Sequence, residues 1–359
     1  MTKLTVYLFV RAGPSQSAML REGHEAFVRS MRRREFIAGI GGTAVVWSLT
    51  AQAQNTGRTK RLAVLSALAA DSPIIKTRLG VLMQELVNLG WSPGQSPMVD
   101  YRYGAGQSDR YPSLAQELIA TRPDVILAHT TQVAVAVQRE TPDIPVVFFD
   151  VSDPIGMGFV SSLARPAGNM TGVLLYEPGI ASKWLQLLKE TAPHVTRVAL
   201  VGNPKTTAFS YFQRGAEAAA PLVPLELLVA PVATADEIER IFQSLVSTSH
   251  GGLVVLPDPT MVGHRELTIS LAARHRVPAV YPFRLFVAAG GLMAYETDQG
   301  QISRLAASYI DRILRGARPS DLPVQVPTKY ATIVNLKAAK ALGVEVPSSL
   351  LLRADEVIE

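Results

Sequence analysis

From Lys60 onward, short apolar runs alternate with segments whose apolar residues recur at helical spacing. Residues 61–65, 99–103, 124–128 and 145–149 predict strands, and 77–89, 111–121 and 132–140 predict the helices between them. The first helix puts Leu79, Leu82, Met83, Leu86 and Leu89 on one face and stops at Gly90. Strands joined by helices of this length make right-handed parallel crossovers. A Gly/Pro-rich stretch at 153–172 breaks the rhythm, which then restarts. Strands are predicted at 197–201, 224–229, 252–256 and 278–281, with helices at 182–191, 209–220, 235–247 and 264–275. The pattern therefore predicts an α/β protein of two doubly wound parallel-sheet lobes. The tail (a strand at 291–296, a helix at 302–314, a strand at 327–334 and a helix at 336–342) is too small for a third domain. It is expected to return to the two sheets. The expected lobes are 60–152 with 283–320, and 165–281 with 328–359. The expected crossings lie near 153–171, 282–286 and 319–328, the first flanked by Gly156, Gly158 and Gly172 as a source of hinge rotation.

Upstream the pattern changes. Met31-Arg32-Arg33-Arg34-Glu35-Phe36-Ile37 precedes an apolar stretch from Ala38 to Leu49 and then Ala51-Gln52-Ala53. Arg33-Arg34-x-Phe36-Ile37 has the form of a twin-arginine export core. The apolar stretch falls short of the ~20 residues that a spanning helix needs, and Ala51-x-Ala53 offers the small side chains of a signal-peptidase site. Residues 31–53 are expected to be a signal peptide that directs the chain to the periplasm by the twin-arginine route. Residues 1–30 lie ahead of a signal that needs a free N-terminus, so translation is expected to start at Met31, with 1–30 a gene-model extension. Gly39-Ile40-Gly41-Gly42 falls inside the signal with no strand before it, so it is not a nucleotide-binding loop.

Apolar residues make up 48% of the chain and charged residues 18%, which suits large cores and excludes disorder. There is no cysteine, which excludes disulfides, thiolate metal sites, a cysteine nucleophile and a lipid-modified anchor. The first 53 residues hold seven basic and three acidic side chains, so they carry +4 of the formal +5. The remainder is almost neutral, and a nucleic-acid partner loses its electrostatic support.

In open parallel sheets, ligands bind beyond the carboxyl ends of the strands. The polar residues at those ends are Ser66, Asp71 and Ser72, then His129, Thr130 and Thr131, then Asp150, Ser152 and Asp153. In the second unit they are Asn203, Asp258 and Tyr281, with Tyr295 and Glu296 on a returning strand. Small polar residues in such places also serve as helix caps and turn formers. The candidates for ligand binding are Ser66, Thr130, Thr131, Ser152, Asp153, Asn203, Asp258, Tyr281, Tyr295 and Glu296. Free N–H groups around Ser66, Thr130, Thr131 and Ser152 suit an anion. Asp258, fixed between Pro257 and Pro259, is the leading candidate for a ligand-facing carboxylate. Asp258 or Glu296 would accept from an ammonium, and Tyr281 or Tyr295 would stack on an apolar part. Lipase-elbow, zinc-protease, phosphate-loop and calcium-loop motifs are all missing. His264 and His275 read as surface residues, and His129 is the one histidine placed for catalysis.

Asp153-Pro154-Ile155-Gly156-Met157-Gly158, with Leu163-Ala164-Arg165-Pro166-Ala167-Gly168-Asn169-Met170-Thr171-Gly172, resembles the hinge segment of periplasmic substrate-binding proteins of ABC transporters. The branch is the one that includes tryptophan/tyrosine-type binders. Leu256-Pro257-Asp258-Pro259 and residues 271–281, 289–295 and 321–358 resemble the same branch. The resemblance implies a type-I periplasmic-binding fold with three crossings and the ligand in the cleft. It does not fix the ligand; the residues above suit a small zwitterion, or a carboxylate with an apolar body, and the expected protein is a non-enzymatic, cofactor-free monomer that captures such a molecule. Its partners would be an ABC permease with its ATPase subunit, and membrane contact would come only through the permease. The alternatives are a soluble periplasmic ligand sensor, or an exported hydrolase or transferase using His129 or Asp258.

Overall fold

The computed structural model describes residues 59–177, 179–246 and 250–359; the expected signal peptide and the segment before it lie outside the described residues. Strands β1 (Arg61–Ser66), β2 (Met98–Tyr103), β3 (Val125–His129), β4 (Val146–Val151) and β5 (Met170–Leu174) form one parallel sheet in the order β2-β1-β3-β4-β5. Helices α1 (Pro73–Asn88), α2 (Tyr111–Ala120) and α3 (Thr131–Glu140) connect the first four strands. β3 and β4 are buried along their whole length. Helices cover both faces of such a sheet, so its inner strands read as continuous apolar runs rather than alternating ones. α1 turns Ile75, Leu79, Leu82 and Leu86 inward, and Arg78 with them.

The second sheet has seven strands: β6 (Arg197–Gly202), β7 (Glu226–Pro231), β8 (Gly251–Val255), β9 (Ala279–Tyr281), β10 (Met293–Thr297), β11 (Tyr330–Asn335) and β12 (Glu356–Ile358). Their order is β12-β11-β10-β9-β8-β6-β7, and all neighbours are parallel except β10 and β11. Helices α4 (Ile180–Thr191), α5 (Phe209–Ala219), α6 (Ala235–Val246), α7 (Pro259–Gly263), α8 (Arg265–His275) and α9 (Arg284–Ala288) serve this lobe. α10 (Gln299–Leu314) returns to the first lobe and packs on α1: Trp91 Nε1 donates to Asp311 Oδ1 at 2.8 Å, and Arg315 Nη2 to the Leu89 carbonyl at 2.9 Å. The chain thus passes between lobes three times: after β5, at Asp298 between β10 and α10, and between Gln325 and β11. Gln325 still pairs with Gly172 and Leu174 of β5. Among the described residues no helix is long and apolar enough to cross a membrane.

Three segments sit differently from expectation. The Gly/Pro-rich stretch ends in the apolar run Met170–Leu174, which adds beside β4 as a fifth strand, so the first crossing comes later. Gly172 is consequently not a hinge residue. A Cβ there would lie 1.9 Å from the Phe148 carbonyl oxygen, so the glycine permits strand contact. Residues 282–286 remain in the second lobe, and β10 joins that lobe's sheet beside β9 rather than the first lobe. An apolar strand carries no label saying which sheet it will complete; pairing decides.

Candidate functional site

The carboxyl ends of β1, β3 and β4 face those of β6 and β8 across a narrow cavity of about 440 Å³, counting its open mouth. The first lobe contributes Arg78, His129, Thr130, Thr131, Asp150 and Ser152; the second contributes Thr206, Thr207, Asp258 and Phe283, with Leu68, Ile74, Leu175 and Val262 as apolar lining. A buried polar chain stands at its floor. Arg78, only 4% exposed, donates through Nη1 to Asp150 Oδ2. His129 Nε2 lies 3.1 Å from the same carboxylate oxygen, and His129 Nδ1 lies 2.9 Å from Ser66 Oγ. Ser66 Oγ accepts from the Leu68 backbone N–H at 3.1 Å.

Burial alone would push the Asp150 carboxyl up, but Arg78 and His129 outweigh it and hold the carboxyl below its ordinary range. Burial pushes His129 down, with the Asp150 contact opposing. The cluster is therefore a guanidinium, a carboxylate and a neutral imidazole. Its pairing is incomplete: Arg78 Nε and Nη2, Asp150 Oδ1 and Thr130 Oγ1 are buried without a hydrogen-bond partner. Such atoms in a cleft mark a place for ligand or water, since leaving a buried polar group unpaired costs roughly 1–3 kcal/mol.

The backbone bends to present these groups. Asp150 sits at φ +58° where the β4–β5 register jumps, a bulge that redirects its side chain out of the ladder. Thr130 adopts φ +84° and ψ +159°, a region almost reserved for glycine, immediately before α3. Asp153 follows at φ +53°. Three strained residues at two adjacent strand ends signal a site held in place by its surroundings.

Of the ten expected ligand residues, Thr130, Thr131, Ser152 and Asp258 line the cavity. Thr131 Oγ1 accepts from the Ser152 N–H at 3.0 Å, so those two fix each other. Asp258 caps α7 and turns inward: its carboxylate accepts from the backbone N–H groups of Asn203 and Thr260 and from the Thr206 hydroxyl. Burial lifts its carboxyl to about 6 despite those bonds. The expected free carboxylate is thus mostly occupied. Ser66 and Asn203 lie behind the wall as supports, Asn203 Nδ2 donating to Thr260 Oγ1 at 2.9 Å. Asp153 stands at the rim, where Arg214 of the second lobe donates to it at 2.9 Å.

Tyr281 is buried in the second lobe, stacked on Phe286 with ring centres 5.1 Å apart and away from the cavity. Tyr295 belongs to the hinge: it stacks on Tyr330 at 5.2 Å, and its carbonyl accepts from Trp184 Nε1 at 3.2 Å. Nearby, Tyr176 donates to the Pro282 carbonyl at 2.6 Å. Glu296 accepts from the Arg284 N–H at 2.8 Å and lines a neighbouring hollow behind Arg78 and Phe283.

Arg78, Thr206, Thr207 and Phe283 were not among the expected site residues. Arg78 had a signal: it falls three residues after Ile75 and four before Leu82, on the apolar face of α1 rather than the polar one. Phe283 of the second lobe lies under its guanidinium, 5.3 Å from carbon to ring centre. Among the described residues no group of three histidine, aspartate or glutamate side chains is arranged to hold a metal ion.

The family model for "ABC transporter substrate binding protein" matches residues 61–358. A tyrosine-binding protein from Clostridioides difficile (strain R20291) is 24% identical over 324 residues, covering 86% of this chain and 91% of that protein. Among solved structures, an ABC domain in complex with L-Trp from Streptococcus pneumoniae aligns with a TM-score of 0.77 at 25% identity, over 84% of this chain and 100% of that one. The ligand-free, open form of a substrate-binding protein with adhesive properties from Clostridium difficile aligns with a TM-score of 0.63 at 23% identity, over 84% and 99%.

Proposed function

The chain belongs to the ABC transporter substrate binding protein family, and from that premise we propose that it captures a small amino-acid-like molecule, or a carboxylate with an apolar body, and hands it to an ABC permease and its ATPase. The observation that carries this reading is a cavity walled by both lobes with Arg78, Asp150 and Thr130 holding unpartnered polar atoms. A ligand that touches both walls stabilises the closed arrangement by its greater affinity for it. The aromatic residues Tyr176, Trp184, Tyr295 and Tyr330 cluster where the chain crosses between lobes and would act as the pivot. The permease would read the joint outer surface of the closed lobes. Export by the twin-arginine signal would place the protein in the periplasm, where it would work as a monomer.

Thermal unfolding in the presence of candidate solutes tests this. A ligand bound only by the folded state at about a hundred times its Kd adds about 2.7 kcal/mol and raises the melting temperature. The recovered molecule should be unchanged in mass. A changed mass after incubation would replace capture with catalysis.

A further inference from the structure

The buried arginine of the cleft wall stands between two carboxylates, one from each lobe. Asp150, from its own lobe, accepts from Arg78 Nη1. Glu296, on β10 of the second lobe, lines the hollow behind Arg78 with Ile74, Thr77, Phe283 and Gln299. Glu296 is anchored within its own lobe: Oε2 accepts from the Arg284 N–H at 2.8 Å, and Oε1 has no hydrogen-bond partner among the described residues. The Arg284 guanidinium is committed to Glu356, donating to both of its carboxylate oxygens at 2.6 Å. Burial pushes the Glu296 carboxyl up, while the Arg284 N–H and then the Arg78 guanidinium oppose it. No hydrogen bond joins Arg78 to Glu296. Their attraction acts across the hollow, where Ile74 and Phe283 keep the local dielectric low. The two carboxylates differ in what lobe rotation does to them. Asp150 and Arg78 travel together. Glu296 and Arg78 do not, so their attraction is strongest in the closed arrangement and is screened by water as the lobes part. The Phe283 ring, 5.3 Å from the guanidinium carbon, changes in the same sense.

Resting on the capture reading above, we infer that Glu296 is a positioning residue of the cleft: it draws Arg78 toward the second lobe, so that the empty chain already populates the closed arrangement. A closed population present in advance lowers the conformational cost of capture. Glu296 itself touches no solute in this scheme.

The test reads lobe separation with no solute present. The chain has no cysteine. Ala120→Cys on α2 and Ala218→Cys on α5, exposed positions in different lobes, therefore take one spin label each, and pulsed electron resonance gives the distance distribution. The otherwise wild-type chain should show a short-distance, closed population. Glu296→Gln keeps an acceptor for the Arg284 N–H and removes the charge, and should lower the closed-to-open ratio about fivefold or more. Glu296→Asp, which keeps the charge, should recover part of that ratio. Glu226→Gln makes the same change of charge on β7, at the edge of the same sheet, and should leave the ratio unchanged. In an Arg78→Gln background, Glu296→Gln should have no further effect. If Arg78→Gln does not fold, the contrast between Glu296→Gln and Glu226→Gln decides. The assignment is overturned by a wild type with no closed population, by a ratio that Glu296→Gln leaves unmoved, or by an equal fall with Glu226→Gln. Each of those results leaves small-molecule capture standing. Conversely, failure of every candidate solute in thermal unfolding would remove capture without altering these distances.

Discussion

Asp258→Asn isolates the carboxylate that sequence pattern favoured as a ligand group and that the structure turns inward. Asp258 is 1% exposed and its carboxyl titrates at about 6, against an ordinary 3.8. A raised folded pKa means that the folded state holds the proton more tightly than the unfolded chain. The associated stability is complete below 3.8 and disappears as the pH rises through 6. The full shift, just over two units, is worth about 3 kcal/mol. Between about pH 7.5 and about pH 5 the part recovered is about 1.4 kcal/mol. His129 works against it in the same window: buried and neutral, it loses stability for the fold as the unfolded imidazole takes up protons. That term is common to wild type and variant and cancels in their difference. Urea unfolding of both proteins at the two pH values should therefore show the wild type gaining about 1.4 kcal/mol relative to Asp258→Asn on acidification. A gap constant to within ~0.4 kcal/mol would mean that Asp258 titrates as an ordinary exposed carboxylate, and the inward cap would be wrong.

Thr130→Gly should release backbone strain of roughly 1–3 kcal/mol against a glycine cost of about 0.5–1 kcal/mol. It should raise the melting temperature while weakening ligand binding through the lost hydroxyl; a lower melting temperature would show that Thr130 is not strained. Gly172→Ala places a methyl group into the Phe148 backbone of the neighbouring strand. It should cost roughly 3 kcal/mol or more in denaturant unfolding, and an effect under ~0.5 kcal/mol would refute the close β4–β5 contact. Arg214→Ala removes the rim contact to Asp153 across the lobes. Arg214 is well exposed, so stability should change by less than about 1 kcal/mol, while stopped-flow dissociation of the captured solute should quicken several-fold. An unchanged rate would take the contact out of the closing motion.

The parts of the fold legible in sequence are those where burial writes a continuous run. Leu62 to Leu65, Ile126 to Ala128 and Leu253 to Val255 are apolar because helices cover both faces of their sheets. Met170–Leu174 is equally buried, yet its Thr171 and Gly172 interrupt the apolar run and the glycines and prolines before it read as a hinge. For β10 the pattern showed a strand but not its neighbours, since sheet membership depends on pairing across distant sequence. The rule that ligands bind beyond strand ends led to Thr130, Thr131, Ser152 and Asp258, all at the cavity wall. It could not separate wall from support, because Ser66 and Asn203 differ from them only in where their hydroxyl or amide turns. Arg78 lies on a helix face, outside the strand ends that this rule covers. Its position among Ile75, Leu79 and Leu82 carried the information, because an arginine on an apolar helix face needs a buried partner, and Asp150 is that partner.

Capture by this cleft requires its two lobes to close on a small molecule lodged between them. Small-angle scattering of the chain, alone and saturated with the solute that most raises its melting temperature, reads that closure. The radius of gyration should fall on saturation. An unchanged radius with the solute demonstrably bound would rule out closure.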